Sequence, residues 1–494
     1  MPVIADPESD RRAEVSTRTL LLACLPAVVA GLLVRVWLMR TSLSRLNADE
    51  GITGLQAFDV LKGQFRLIVA GNDYGSTTET YLLAPILAFW TGVGPVRILP
   101  ILLSAVAGYA LYRLARPIFG RVPAAALALI GWTVSGAVAL LFLRSYMGYP
   151  TGFIAQVAAL ALACHAMRTE QHLVRTAFLG GFAAGFAVWS HPIFGTVALL
   201  ALIVPTLYRW PAFRRWWLPL SAGGVLGVSP WLLFMAQNGW PESAKPVVQT
   251  TYPERLVRFV TELLPRAFGL RTPEGDWVAP EAVAVGIAAV LIMSSLVGMV
   301  ALVLLKGPQT LPILVAGLLA FPTLALYAPL GSIADARYAL PLLPQLLMGL
   351  GAWLLLVPGR IRESPWLVVI VPTVWALMLS VPVIHQQVGW QWIDPDADAK
   401  QMVSEIKSRQ IPYVAGDYWG AYLIDYLGGG RLQAATHGPI RLEDQNATVD
   451  AANPSLVAFV YQEGMTPYLR MPADQYQFVN VGPWDLYLPI GYPR

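Results

Sequence analysis

Apolar runs of bilayer length recur along this chain, and they constrain its fold more than any motif. A helix needs about 20 mainly apolar residues to cross the hydrocarbon core. Such runs lie near 19–39, 95–115, 122–142, 150–167, 176–191, 192–208, 217–236, 282–305, 310–329, 338–357 and 366–385. The pair across 176–208 is divided only by a short turn, Ser190–Pro192. The chain has 494 residues, 56% hydrophobic and 13% charged, against about 25% charged in soluble proteins. The expected fold class is an α-helical polytopic membrane protein with about eleven transmembrane helices. A net charge of +4 could suit nucleic acid. The basic residues instead collect in short linkers, where the positive-inside rule accounts for them, so no nucleic-acid partner is expected. Cys24 and Cys164 fall inside apolar runs, which leaves no disulfide framework and no Cys-x-x-Cys site. The first run is too long for a signal-peptide core and reads as an uncleaved span.

Lys and Arg set the expected orientation. Arg11, Arg12 and Arg18 precede the first run; Arg113, Arg116 and Arg121, then Arg168 and Arg175, then Arg209, Arg214 and Arg215, then Lys306, then Arg360 and Arg362 follow later ones. All lie on one side if the N-terminus is cytoplasmic. The cell (inner) membrane is then the expected location. Segments 41–94, 237–281 and 387–494 fall outside. Residues 1–386 form the expected membrane core. Composition shifts at 387–494, where helices near 396–409, 418–427 and 441–452 alternate with strands near 413–416, 431–435, 456–461 and a pair within 477–488. This is the pattern of a small α/β domain. The Gly428–Gly430 run follows a helix and reads as a C-cap and turn, not a nucleotide loop.

Candidate chemistry begins in segment 41–94. Asp49 and Glu50 stand together just outside the first span, as a base or metal-binding pair, or as a helix start capped by Asp49 over 51–62. Tyr74 and Glu79 belong to YGSTTE, after Asp73, where a Gly turn leads into an expected interfacial helix over 77–90. Arg337 and Tyr338 open the run at 338–357; the arginine can snorkel to headgroups or grip a phosphate with its guanidinium fork. Arg144 and Tyr146 end the run at 122–142, and His191 marks an outer turn. His191 reads as a turn histidine and, with no Cys/His cluster near it in sequence, as a poor metal site. Arg97 is an interfacial anchor or a partner for a loop carboxylate. Segment 237–281 contains TYPERLVRFVTELLPRAFGL, expected as an interfacial amphipathic helix.

NADEGITGLQAFDVLKGQF followed by NDYGSTTETYLLAP resembles the first outer loop of GT-C glycosyltransferases. The resemblance is to bacterial enzymes grouped with protein O-mannosyltransferases, aminoarabinose transferases and lipopolysaccharide-core transferases of the RgtA/B/C/D type. ARYALPLLP is similar to their Arg-Tyr opening of a late span, and GDYWGAYLIDYLGGGR to an element of some bacterial tails. The resemblance implies a helical membrane core, a site between core and outer loops, and a polyprenyl-phosphate-sugar donor. It makes Asp49 the acidic residue of loop one acting as base or metal ligand, Glu50 its partner, and Arg337 the contact to donor phosphate. It leaves open whether the acceptor is a glycan, a lipid or a protein. The family's Asp-x-Asp form is absent here, so no cofactor is required and a divalent metal is possible.

The reading that follows is an inverting glycosyl transfer on the outer face. A lipid-linked sugar transporter would want ionisable residues and broken helices at mid-membrane. Within the spans, Arg35 is the charge farthest from any end. A non-catalytic scaffold gives no reason for the acid-rich loop.

Overall fold

The computed structural model describes residues 15–133, 136–145, 148–169, 171–213, 215–240, 251–272, 275–327 and 336–490. Among these, nine helices are long and apolar enough to cross a membrane: Thr17–Leu38 (α1), Val93–Phe119, Tyr149–Arg168, Leu173–Ser190, Trp217–Asn238, Glu281–Lys306, Pro308–Leu326, Ala336–Leu355 and Pro365–Val388. The expected run at 192–208 forms a shorter apolar helix. Of the run at 122–142, the described residues form the helical segments Arg121–Thr133 and Gly136–Leu141, and residues 134–135 lie outside the described residues. The Thr133 carbonyl accepts from Ser380 Oγ at 2.8 Å.

Between α1 and the next span, loop one folds into Ala48–Leu61 (α2) and Thr78–Leu87 (α3). The following membrane elements are α4 (Val93–Phe119), α5 (Arg121–Thr133), α6 (Gly136–Leu141), α7 (Tyr149–Arg168), α8 (Leu173–Ser190) and α9 (Pro192–Tyr208). Small residues let these helices approach closely. A Cβ added at Gly181 of α8 would lie 2.0 Å from the Leu220 carbonyl of the Trp217–Asn238 helix, so only glycine fits that crossing. Arg35 is 1% exposed. It donates to the carbonyls of Gly31 at 3.1 Å and Trp132 at 2.9 Å, and its guanidinium lies 3.9 Å from the Trp132 ring. This charge ties α1 to α5. In segment 237–281 the described helix runs from Tyr252–Arg258 through a π-helical stretch, Phe259–Leu263, to Leu264–Ala267. It is held on the Pro308–Leu326 span by Tyr252 Oη to the Pro322 carbonyl at 3.2 Å and Arg255 Nη1 to the Leu326 carbonyl at 3.1 Å.

The C-terminal segment forms a five-stranded sheet in the order β2-β1-β3-β5-β4. The strands are β1 (Tyr413–Gly416), β2 (Gln433–Thr436), β3 (Val457–Gln462), β4 (Tyr476–Val481) and β5 (Trp484–Pro489). β1 pairs parallel with β2 and β3, while β5 runs antiparallel between β3 and β4. Helices Ala397–Ser408, Tyr418–Leu427 and Glu443–Ala451 complete it. Its core is continuous with loop one: Leu46, Ile52 and Leu55 pack in one cluster with Tyr418, Tyr422, Tyr426, Val460 and Leu486. A Cβ on Gly51 would meet the Tyr422 carbonyl at 3.0 Å, and one on Gly54 would meet the Tyr426 ring at 2.1 Å. The two glycines let the Tyr418–Leu427 helix lie directly on α2, and this contact frames the candidate site.

Candidate active site

α2 begins where Asn47 caps it. Asn47 Oδ1 accepts from the Glu50 N–H at 3.0 Å, and Glu50 Oε2 accepts from the Asn47 N–H at 3.4 Å. This is a capping box; the cap is Asn47 rather than Asp49, and the helix starts at Ala48 instead of 51. Glu50 Oε1 takes the guanidinium of Arg97, with both side chains buried. Arg97 also donates to the carbonyls of Ser44 and, at 3.0 Å, Leu143. Both Glu50 oxygens are thus engaged inside the protein. Arg144 lies close by and gives Nη2 to the Leu43 carbonyl at 2.9 Å.

Asp49 turns the other way. Its Oδ1 accepts from the hydroxyl of Tyr418, a residue of the C-terminal domain. Tyr418 Oη in turn accepts from Arg441 Nε at 3.3 Å. Burial, and then the charge and hydrogen bond of Asp49, push the Tyr418 hydroxyl's pKa upward, so it stays protonated and donates. Asp49 keeps 7% of its surface exposed, and no described residue bonds its Oδ2. The neighbouring carboxylates diverge and form no shared ligand pair. Among the described residues no group of three or more His, Cys, Asp or Glu could hold a metal ion.

Glu79 lies in the first turn of α3 and is 2% exposed. Thr77 precedes the helix without a side-chain cap bond, and its Oγ1 donates instead to the Arg66 carbonyl at 2.7 Å. α3 spans 78–87, shorter than the expected 77–90. Glu79 Oε1 accepts from Thr151 Oγ1 at 3.4 Å. Its Oε2 is sealed from solvent without a hydrogen-bond partner, as are Ser76 Oγ and Ser190 Oγ. With no counter-charge, burial pushes the Glu79 carboxyl up to about 8. Gly148, at φ 81°, lies against this knot: a Cβ there would come within 3.0 Å of Ser76 Oγ and 2.7 Å of the Ser190 carbonyl.

His191 is the cap of α9. Its Nδ1 accepts from the Ile193 N–H at 3.3 Å, which assigns the ring proton to Nε2, 3.2 Å from Tyr149 Oη. Burial, and then the nearby Arg337 charge, push the imidazole down to about 3, so it is neutral. Tyr74 meets the His191 ring edge-on at 5.0 Å. The Arg337 guanidinium lies 5.1 Å from the Tyr338 ring and 6.0 Å from that of Tyr149, within cation–π reach. Tyr74, His191, Arg337 and Tyr338 thus share one aromatic and cationic cluster around Tyr149. Tyr146 lies outside the described residues. Segment 71–79 links the two halves, since Arg441 Nη1 bonds the Gly71 carbonyl at 2.6 Å and the Asn72 side chain, while Tyr74 reaches His191. Tyr149, Thr151, Tyr418 and Arg441 were not among the residues expected here. GDYWGAYLIDYLGGGR pointed to the stretch that holds Tyr418, though not to its contact.

No family model and no curated protein sequence matches the chain. Solved structures do. ArnT from Cupriavidus metallidurans, solved bound to undecaprenyl phosphate, superposes with a TM-score of 0.61 at 14% identity, over 96% of this chain and 98% of that chain. The Archaeoglobus fulgidus oligosaccharyltransferase AglB, in complex with an inhibitory peptide and a dolichol-phosphate, superposes with a TM-score of 0.52 at 12% identity, over 90% and 69%. The same archaeal enzyme in complex with zinc and sulfate gives 0.51 at 13% identity, over 90% and 68%. The chain has the GT-C fold. At such identities the likeness concerns the fold alone.

Proposed function

We propose that this protein is a membrane glycosyltransferase that moves a sugar, with inversion, from a polyprenyl-phosphate carrier to a hydroxyl of an extracytoplasmic glycan, lipid or protein. One observation carries the reading: Asp49 is buried but for 7% of its surface, with one oxygen held by Tyr418 and the other unbonded among the described residues, while both oxygens of Glu50 beside it are engaged. A fixed carboxylate with an open oxygen is suited to accept a proton. Full-length likeness to a transferase solved with undecaprenyl phosphate supports the donor class.

In this reading the acceptor O–H gives its proton to Asp49 as its oxygen forms a bond to the anomeric carbon. The bond from that carbon to the phosphate oxygen breaks, and the electron pair leaves with polyprenyl phosphate. Arg337 meets the developing charge on that phosphate. Neutral His191 and Tyr149 fix the arginine's surroundings, and Tyr74 and Glu79 line the sugar's side. Glu50 and Arg97, with Arg144 nearby, hold α2 at the angle that presents Asp49. The donor is already activated, so no nucleotide enters.

The test is Asp49→Asn in purified, reconstituted protein, reading release of undecaprenyl phosphate from undecaprenyl-phosphate-linked hexoses and pentoses. A lost general base costs about 10²–10⁴ in rate, with extraction and donor binding unchanged. Full turnover by this variant would remove Asp49 from the role.

A further inference from the structure

The C-terminal domain reaches the proposed base through one hydroxyl. Tyr418 is the first residue of its helix, and the helix start is anchored from both sides. Asp417 Oδ1 accepts from the N–H groups of Trp419 at 2.8 Å and Gly420 at 2.9 Å, and Asp417 Oδ2 accepts from the Gln462 N–H of β3 at 2.6 Å. The helix cannot slide along α2, because Tyr422 and Tyr426 occupy the notches at Gly51 and Gly54. Tyr418 is 8% exposed, so its hydroxyl has few alternatives to the partners it meets.

Those partners form a directed chain. Arg441 Nε donates to Tyr418 Oη, and Tyr418 donates to Asp49 Oδ1. Each bond polarises the next. Arg441 is also bound to loop one by the Gly71 carbonyl and the Asn72 side chain. Gly71 has φ 66°, and a Cβ there would come 2.6 Å from Arg441 Cδ, so the turn is shaped to the arginine. One arginine therefore grips both the tyrosine that holds Asp49 and the loop that leads to Tyr74 and Glu79.

We propose that Tyr418 is a positioning residue for Asp49, and that Arg441 couples the C-terminal domain to loop one through it. With Oδ1 held, the carboxylate keeps one rotamer and presents Oδ2 to the acceptor hydroxyl. Without the hydroxyl Asp49 can rotate, and the near-attack geometry is lost in most encounters. The inference rests on Asp49 being the base. It gives the C-terminal domain a role in the chemical step besides contact with the acceptor.

A buried tyrosine hydroxyl could also serve stability alone, so the test needs a matched comparator. Tyr461 is 3% exposed on the other sheet face, and its hydroxyl bonds His437 Nδ1 at 2.8 Å and the Tyr468 carbonyl at 3.0 Å. Tyr418→Phe, Tyr461→Phe, Asp49→Asn and the Asp49→Asn/Tyr418→Phe double variant are compared as full-length protein. The readout is undecaprenyl phosphate release from the undecaprenyl-phosphate-linked hexose or pentose that the parent turns over. Tyr418→Phe should lower kcat about tenfold to a hundredfold, with donor KM changed by less than about twofold. Tyr461→Phe should lower the unfolding midpoint and keep kcat per folded molecule. The double variant should be no slower than Asp49→Asn alone, since the tyrosine acts only through the aspartate. Parent-like kcat in Tyr418→Phe, with Asp49→Asn inactive, would overturn the positioning role and leave the base standing. Full activity in Asp49→Asn would overturn both.

Discussion

Loop one carries two buried glutamates at comparable places, Glu50 in the first turn of α2 and Glu79 in the first turn of α3, and the protein treats them in opposite ways. Glu50 has an arginine on one oxygen and a backbone N–H on the other. Glu79 has a threonine hydroxyl on one oxygen and nothing on the other. A buried carboxylate with both oxygens engaged is a structural joint. One with an idle oxygen and no counter-charge is held at a cost to stability, which is the arrangement expected where a ligand will supply the missing donor. Asp49 stands between these extremes, with one oxygen gripped by Tyr418.

The largest effect should come from breaking the joint. Glu50→Ala leaves the Arg97 guanidinium buried without its carboxylate, and breaking one side of a buried ion pair costs about 3–5 kcal/mol. The unfolding midpoint in detergent should fall steeply, and much of the protein should be lost on extraction. A Glu50→Ala protein that unfolds like the parent would erase the contrast with Glu79, because neither acid would then be structural.

Arg337 gives a smaller effect, on donor affinity. Arg337→Ala should weaken binding of undecaprenyl phosphate by roughly tenfold to a hundredfold, the equivalent of about 1.5–3 kcal/mol for a charge-assisted bond. Arg337→Lys should recover only part, because an ammonium cannot present a planar fork and stacks less well on Tyr149 and Tyr338. Equal affinity in all three proteins would make Arg337 a headgroup anchor and move the phosphate elsewhere along loop one.

The two acid sites also differ in how far the sequence discloses them. The membrane core was legible because apolar runs are long and leave little choice of structure. The C-terminal sheet was legible because strand and helix periods alternate there with clear turns, and β1 appears at 413–416 as expected. Tyr74, Arg337, Tyr338 and His191 could be named one by one, but their convergence on Tyr149 joins stretches more than a hundred residues apart. No local period encodes such a contact. The Asp49–Tyr418 bond spans 369 positions and was invisible for the same reason. The adjacency of Asp49 and Glu50 misled, since it suggested a pair. Successive helical positions point about 100° apart, and in α2 that angle sends one acid to Arg97 and the other to Tyr418.

The last contrast separates the idle acid from the saturated one by pH. Burial raises Glu79 from the ordinary 4.5 to about 8. A second carboxylate behaves alike: Asp425, in the helix packed on α2, is fully buried with neither oxygen in hydrogen-bonding geometry, and burial raises it to about 8 against the pull of Lys62. A group whose folded pKa lies above its unfolded value binds a proton in the folded protein that the unfolded chain has released. Its folded state then suffers no penalty below the ordinary carboxylate range and loses stability as pH rises toward 8. Each group contributes a slope of up to about 1.4 kcal/mol per pH unit across that window. The unfolding midpoint of the parent should therefore fall between pH 5 and pH 8. Glu79→Gln should remove part of the slope and, at pH 8, unfold at a higher temperature than the parent, because a neutral amide carries no desolvated charge. Asp425→Asn should remove a further part, independently, since the two sites lie in different elements. If Glu79→Gln leaves the slope intact while Asp425→Asn flattens it, Glu79 already has a donor on its second oxygen, and the two glutamates of loop one are alike after all.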